Sequence, residues 1–121
     1  MSRCNKTLFV LASAIILLTG CGKQHDAETV VKDFIEQNVS VKDYEVEFRS
    51  LDSTTHVSDS LIEKIKFAAV QDKLFKKDIK YGADPKTGKY VFLPANIYVG
   101  KDTLRRTFYL DMKITNVVAF K

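Results

Sequence analysis

Cysteine and recognisable catalytic signatures are both scarce in this sequence. Two cysteines, Cys4 and Cys21, occur in 121 residues, which rules out the multiply cross-linked scaffolds of small secreted proteins. There is no G-x-S-x-G turn, H-E-x-x-H helix, C-x-x-C pair or phosphate-cradling glycine loop, which lowers the expectation of an enzyme without removing it. No long hydrophobic run is present either. The best, residues 8–18, would extend about 16 Å as a helix, half of a ~30 Å hydrocarbon core, so it is not expected to serve as a permanent span. An excess of one charge is also missing. The formal net charge is +4, and Arg3 and Lys6 supply half of it, leaving seventeen basic against fifteen acidic residues after position 20. Nucleic-acid surfaces need a clustered basic field, so no nucleic-acid partner is expected. Internal repeats and low-complexity tracts are absent.

What is present is ordinary for a folded domain. The chain is 45% hydrophobic and 28% charged, which argues against both disorder and a multi-span membrane protein. Its length allows one domain, expected over residues 26–121. Neither a cofactor nor a metal is implied by any residue set.

The first twenty residues read differently. Arg3 and Lys6 precede the short apolar run, the n-region and h-region of a secretory signal. Then comes Leu18-Thr19-Gly20-Cys21, an aliphatic residue, a small one, a glycine and a cysteine. This resembles the lipobox of bacterial lipoproteins. The resemblance implies a diacylglyceryl thioether on Cys21, cleavage after Gly20 with removal of residues 1–20, and acylation of the new amino terminus. Leu18, Thr19 and Gly20 would be the recognition residues for that cleavage. With Cys4 removed, Cys21 has no disulfide partner in the mature chain. Two or three acyl chains would hold the protein firmly on a membrane, since each buried methylene contributes about 0.8 kcal/mol. Gly22 stands where an aspartate signals inner-membrane retention in many such proteins, so outer-membrane placement is the expectation. Residues 21–25, the lipidated cysteine with Gly22, Lys23, Gln24 and His25, read as a short polar tether.

Beyond the tether, Ala27, Val30, Val31, Phe34 and Ile35 fall at helical spacing, predicting a helix from an Asp26 cap to about Asn38. Tyr44, Val46 and Phe48 alternate with Glu45, Glu47 and Arg49, a half-buried strand. The polar run Asp52, Ser53, Thr54, Thr55 ends it. A second helix is expected to open between Ser58 and Ser60, with Ser60 and Glu63 in capping-box spacing, and to reach about Lys77. It carries two apolar sectors, one of Leu61, Ile62, Ile65, Ala68, Ala69 and Phe75, the other of Phe67, Val70 and Leu74, and burial of both is expected. An exposed turn-rich loop follows over residues 82–88. Strands are then expected over residues 90–99, 103–110 and ending at 117–120, with Pro94 marking an edge or bulge. The fold class is α+β, with two helices on one face of a roughly four-stranded antiparallel sheet. In element order this resembles the NTF2-like and cystatin-like exported domains.

Few constellations carry chemistry. Asp52, Ser53, Thr54, Thr55, His56, Ser58 and Asp59 cluster in sequence, but a short loop seldom converges a triad, and strand exit plus helix capping accounts for them. A metal at His56 with Asp52 or Asp59 would lack ligands. Lys66, Lys73, Lys77 and Lys80 fall in one helical sector if the helix continues that far, offering contact with anionic headgroups; a solvated face is the simpler account. Arg105 and Arg106 point to opposite faces of a strand and form no clamp. Tyr90, Phe92 and Tyr98 share a strand face expected to be packed. The function expected is a lipid-anchored cell-envelope lipoprotein, a non-enzymatic module binding an envelope protein or small ligand. The alternatives are a small envelope hydrolase or transferase, favoured if a pocket joins His56 with Asp72, and an inhibitory or structural lipoprotein acting through an exposed Phe67, Val70, Leu74 stripe.

Overall fold

The computed structural model describes residues 14–54 and 56–121, with side chains from Gly22 onward. The leader as far as Ser13, the side chains of Leu18, Thr19, Gly20 and Cys21, and Thr55 lie outside the described residues.

Helix α1 runs over Ala14–Asn38. Its stripe Ala27, Val31, Phe34 and Ile35 is buried as the spacing predicts. Its start differs from expectation: Asp26 lies inside the helix and caps nothing, and residues 22–25 are helical instead of a tether. Gln24 supplies the reason. Its Nε2 donates to Glu28 Oε2 and to the Arg49 carbonyl, each at 2.8 Å, and its Oε1 accepts from the Leu51 amide at 2.8 Å. The helix therefore rests against the sheet three residues past Cys21. It ends at Asn38 as expected, but by tertiary bonding and not by a left-handed cap, for Asn38 has no positive φ. Its side chain, 2% exposed, donates to the Phe34 carbonyl at 2.8 Å and accepts from the Lys80 amide at 2.9 Å.

Five antiparallel strands follow: β1 Glu45–Phe48, β2 Asp52–Thr54, β3 Tyr90–Val99, β4 Asp102–Leu110 and β5 Val117–Phe120. Their order is β1-β3-β4-β5, with β2 also on β3. The polar run at 52–54, expected only to terminate β1, is itself a strand, because β3 extends past β1 and offers Tyr90, Val91 and Phe92 as partners. Between Phe48↔Ala95 and Asp52↔Phe92 three residues face two, a bulge opposite Pro94. That is where the imide is tolerated. Thr107, paired with Pro94, turns both its backbone groups to Lys121, so Pro94 directs its own backbone at the bulge, where its carbonyl accepts from the Arg49 amide at 2.8 Å. The β3–β4 turn needs a positive φ at its first central residue, and Gly100 supplies it at 59°.

Helix α2 covers Asp59–Ala69. Ser58, not Ser60, is its cap, accepting from the Leu61 amide at 3.1 Å. It stops well short of Lys77. The amides of Gln71 and Asp72 fold back on Ala68 and Ala69 at 3.0 Å, and Asp72 is then drawn to the sheet. Arg106 Nε donates to its Oδ2 at 2.6 Å and Arg106 Nη2 to its Oδ1 at 3.1 Å, while the Leu74 amide donates to Oδ1 at 3.1 Å. Phe75, now outside the helix, bridges to Val39 and packs 4.4 Å from the Phe120 ring.

The α+β class with helices on an antiparallel sheet is the one the pattern predicts. Helix α2, however, contributes to two clusters, Ala69 to the one packed against α1 and Ile62 and Ile65 to a second. Val91, Leu93, Ala95 and Ile97 pack with α1, whereas the alternate residue Tyr90 joins Ile62 and Ile65 of α2 with Val118 and Ala119. A register shift in β5 makes the second cluster possible, turning two consecutive small apolar residues to that face. On the α1 side the core is aromatic: Phe34 meets the rings of Phe75, Tyr81, Phe108 and Phe120 at 5.7–6.2 Å between centroids.

Candidate functional site

The least ordinary surface lies on α2. Ile62, Ile65 and Ala69 are buried, while Phe67 is 79% exposed, Leu61 46% and Val70 42%. At 100° per residue Phe67 projects about 165° from the centre of the buried set, so no rotamer returns it to this core. The expected burial of both apolar sectors is therefore overturned in part. Leu74 is buried, but only because the chain leaves the helix before reaching it, and Phe67 and Val70 stay in solvent. Alongside, Ile65, Ala68, Ala69 and Phe120 floor a groove of about 410 Å³ whose rim carries Lys73, Arg106 and Lys121.

The lysine set does not survive as one sector, because α2 ends at Ala69 and only Lys66 belongs to it. Lys66 Nζ stands 4.9 Å from the Tyr81 ring centroid. Lys73 borders the groove of α2, Lys80 borders a separate recess with Tyr81 on the α1 side, and Lys77 is exposed between them. Lys73, Lys77 and Lys80 thus follow the irregular segment after α2, and only Lys66 stays on the helix.

The polar cluster at 52–59 disperses likewise. Asp52, Ser53 and Thr54 are strand residues, Ser58 caps α2, Asp59 opens it, and His56 is exposed with φ 63°. Asp72, the acid paired with His56 in the enzyme alternative, sits at the other end of α2 and is held by Arg106. Among the described residues no group of three His, Cys, Asp or Glu side chains is placed to hold a metal ion. Arg105 is exposed and Arg106 reaches Asp72, the opposed directions their adjacency predicts.

Of the aromatic strand face, Tyr90 is buried, and Phe92 and Tyr98 are half-buried. Burial and the hydrogen bond from its hydroxyl to Asp84 raise the Tyr90 phenol well above the ordinary range. The Tyr98 phenol rises because it donates to Glu47 at 2.6 Å. Tyr81, missed in the sequence, is pushed up to about 12 by burial, and its buried hydroxyl has no partner among the described residues. It lines a recess of about 350 Å³ with Asp33, Phe34, Lys80 and Asn116. Asp111 anchors the turn before β5. Burial pushes its carboxyl up, but donation from the Thr115 hydroxyl and the Asn116 and Thr115 amides outweighs that and leaves it below the usual value.

Charge is divided along the fold. Residues 21–63, which include β1, β2 and most of α1, carry four basic and ten acidic side chains; residues 64–121 carry thirteen and five. The basic part includes the exit of α2 and the β5 edge. No helix among the described residues is long and apolar enough to cross a membrane. Comparison of the chain with protein-family models, with curated proteins and with solved structures finds no match.

Proposed function

We propose that this protein is a lipid-anchored lipoprotein of the bacterial cell envelope, in the outer rather than the inner membrane, and that it acts as a non-enzymatic binding module. The observation that carries the anchor is Leu18-Thr19-Gly20-Cys21 behind a basic and apolar leader. Supporting it, the first described side chain to bond across to another element is Gln24. The mature chain in this reading keeps Gln24 and with it these bonds from α1 to the Arg49–Leu51 segment.

The binding surface in this reading is the exposed side of α2, for which Phe67 at 79% exposure is the reason. The enzyme alternative is the weaker one, since His56 and Asp72 lie at opposite ends of that helix. Intact mass and fractionation of the protein from its native host test the anchor. A diacylglyceryl-modified chain beginning at Cys21 is expected in membranes, with Cys21→Ala accumulating as unprocessed precursor. Normal mass and fractionation of Cys21→Ala would refute it.

A further inference from the structure

Where the anchor and the exposed apolar side chains sit relative to one another narrows the partner. Gln24 ties the start of mature α1 to residues 49 and 51, on the β1–β2 edge of the sheet. From there α1 crosses to β5, where Phe34 packs against Phe120. Cys21 lies about 26 Å along the helix axis from Asn38, overhanging the β1–β2 edge, while α2 is packed on β5 at the opposite edge. Lipid at Cys21 would thus turn the α2 side toward the aqueous compartment.

That side carries the exposed Phe67 and, one residue on and about 100° round the helix, Ala68 at the groove. Phe67 has both Glu63 and Lys64 as helical neighbours, whereas the groove is bordered by Lys73, Arg106 and Lys121 against Asp72 alone. Asp72 is already neutralised by Arg106, which leaves Lys73 and Lys121 on the groove rim to meet an incoming carboxylate. The charge complement is an acidic chain, and the apolar groove beside Ala68 requires that chain to bring a hydrophobic side chain. Resting on the binding-module reading above, we propose that α2 and its groove dock an acidic protein segment carrying an apolar anchor residue, presented from the aqueous side of the membrane.

Peptide display against the full chain, extracted in detergent, tests this. The enriched peptides are expected to be acidic with a large apolar residue and to lose about tenfold or more in affinity with Phe67→Ser, the loss typical of a central apolar contact. Lys73→Glu should weaken them too, more at low than at high salt. Because Phe67 supports nothing in the core, Phe67→Ser should melt with the parent, so a loss of binding cannot be charged to unfolding. No enrichment, or enriched peptides indifferent to Phe67, overturns the proposal. So does Phe67-dependent flotation of the unlipidated Cys21→Ala chain with vesicles of equal parts phosphatidylcholine and phosphatidylglycerol, which would make lipid the occupant. Failure of the anchor is read separately, from the mass of the processed chain.

Discussion

Asn38 is the place where one side chain joins two distant parts of the chain, and replacing it tests how the fold is closed. In Asn38→Ala the Lys80 amide loses its acceptor and the Phe34 carbonyl loses an additional donor. A partly buried N–H without a partner costs about 1–3 kcal/mol, whereas a helix carbonyl that keeps other bonding suffers little. Adding the lost packing of a residue only 2% exposed, the expected destabilisation is about 2–3 kcal/mol. For a domain of this size that lowers the melting temperature by roughly 10–20 °C, measured by far-ultraviolet circular dichroism. Amide exchange at Lys80 and at Lys76, whose N–H donates to the Asn38 carbonyl at 2.8 Å, should accelerate before the strands do. Asn38→Asp separates the two bonds. The carboxylate still accepts from Lys80 but faces the Phe34 carbonyl in a buried site, so its folded pKa rises above the unfolded value of about 3.9. Stability relative to Asn38→Ala is then greatest below that value, where the carboxyl is protonated and donates to Phe34, and is lost as pH rises through the folded pKa. Melting of Asn38→Ala within about 3 °C of the parent, a loss under 1 kcal/mol, or an Asn38→Asp difference that is flat with pH, would refute the assignment.

Two further changes probe the closure of the β5 edge. A Cβ at Gly82 would overlap the side chain of Asn116, beside the bond from the Gly82 amide to the Val117 carbonyl at 3.0 Å; Gly82→Ala should cost about 1–3 kcal/mol in urea unfolding, and parental stability would show that this edge yields freely. Asp111 has a folded pKa held below its unfolded value, so its contribution is complete above about pH 4 and disappears as pH falls through the folded pKa. Asp111→Ala, which strands the Thr115 and Asn116 amides, should therefore be less stable than the parent by about 1–3 kcal/mol at neutral pH, with the difference shrinking in acid. A difference that widens in acid would contradict this.

Local pattern accounts for much of what the sequence reveals. The spacing of Ala27, Val31, Phe34 and Ile35 announces a buried helix face, the alternation through β1 and β3 announces a sheet, and turn residues mark the β3–β4 hairpin, because each signal is set by neighbours within a few residues. The string Leu18-Thr19-Gly20-Cys21, on which the proposed anchor rests, is legible for the same reason, being contiguous. Distant pairing is what a window cannot contain. Asp72 finds Arg106 across 34 positions and Asn38 finds Lys80 across 42. Those bonds end α2 at Ala69, scatter the lysines expected on one helical sector, and send Leu74 and Phe75 inward while leaving Phe67 outside. Gln24 behaves alike, turning an anticipated tether into helix through bonds 25 and 27 residues away. A residue's type and spacing set which local shapes are cheap; which face becomes surface depends on partners that only chain folding brings within bonding distance.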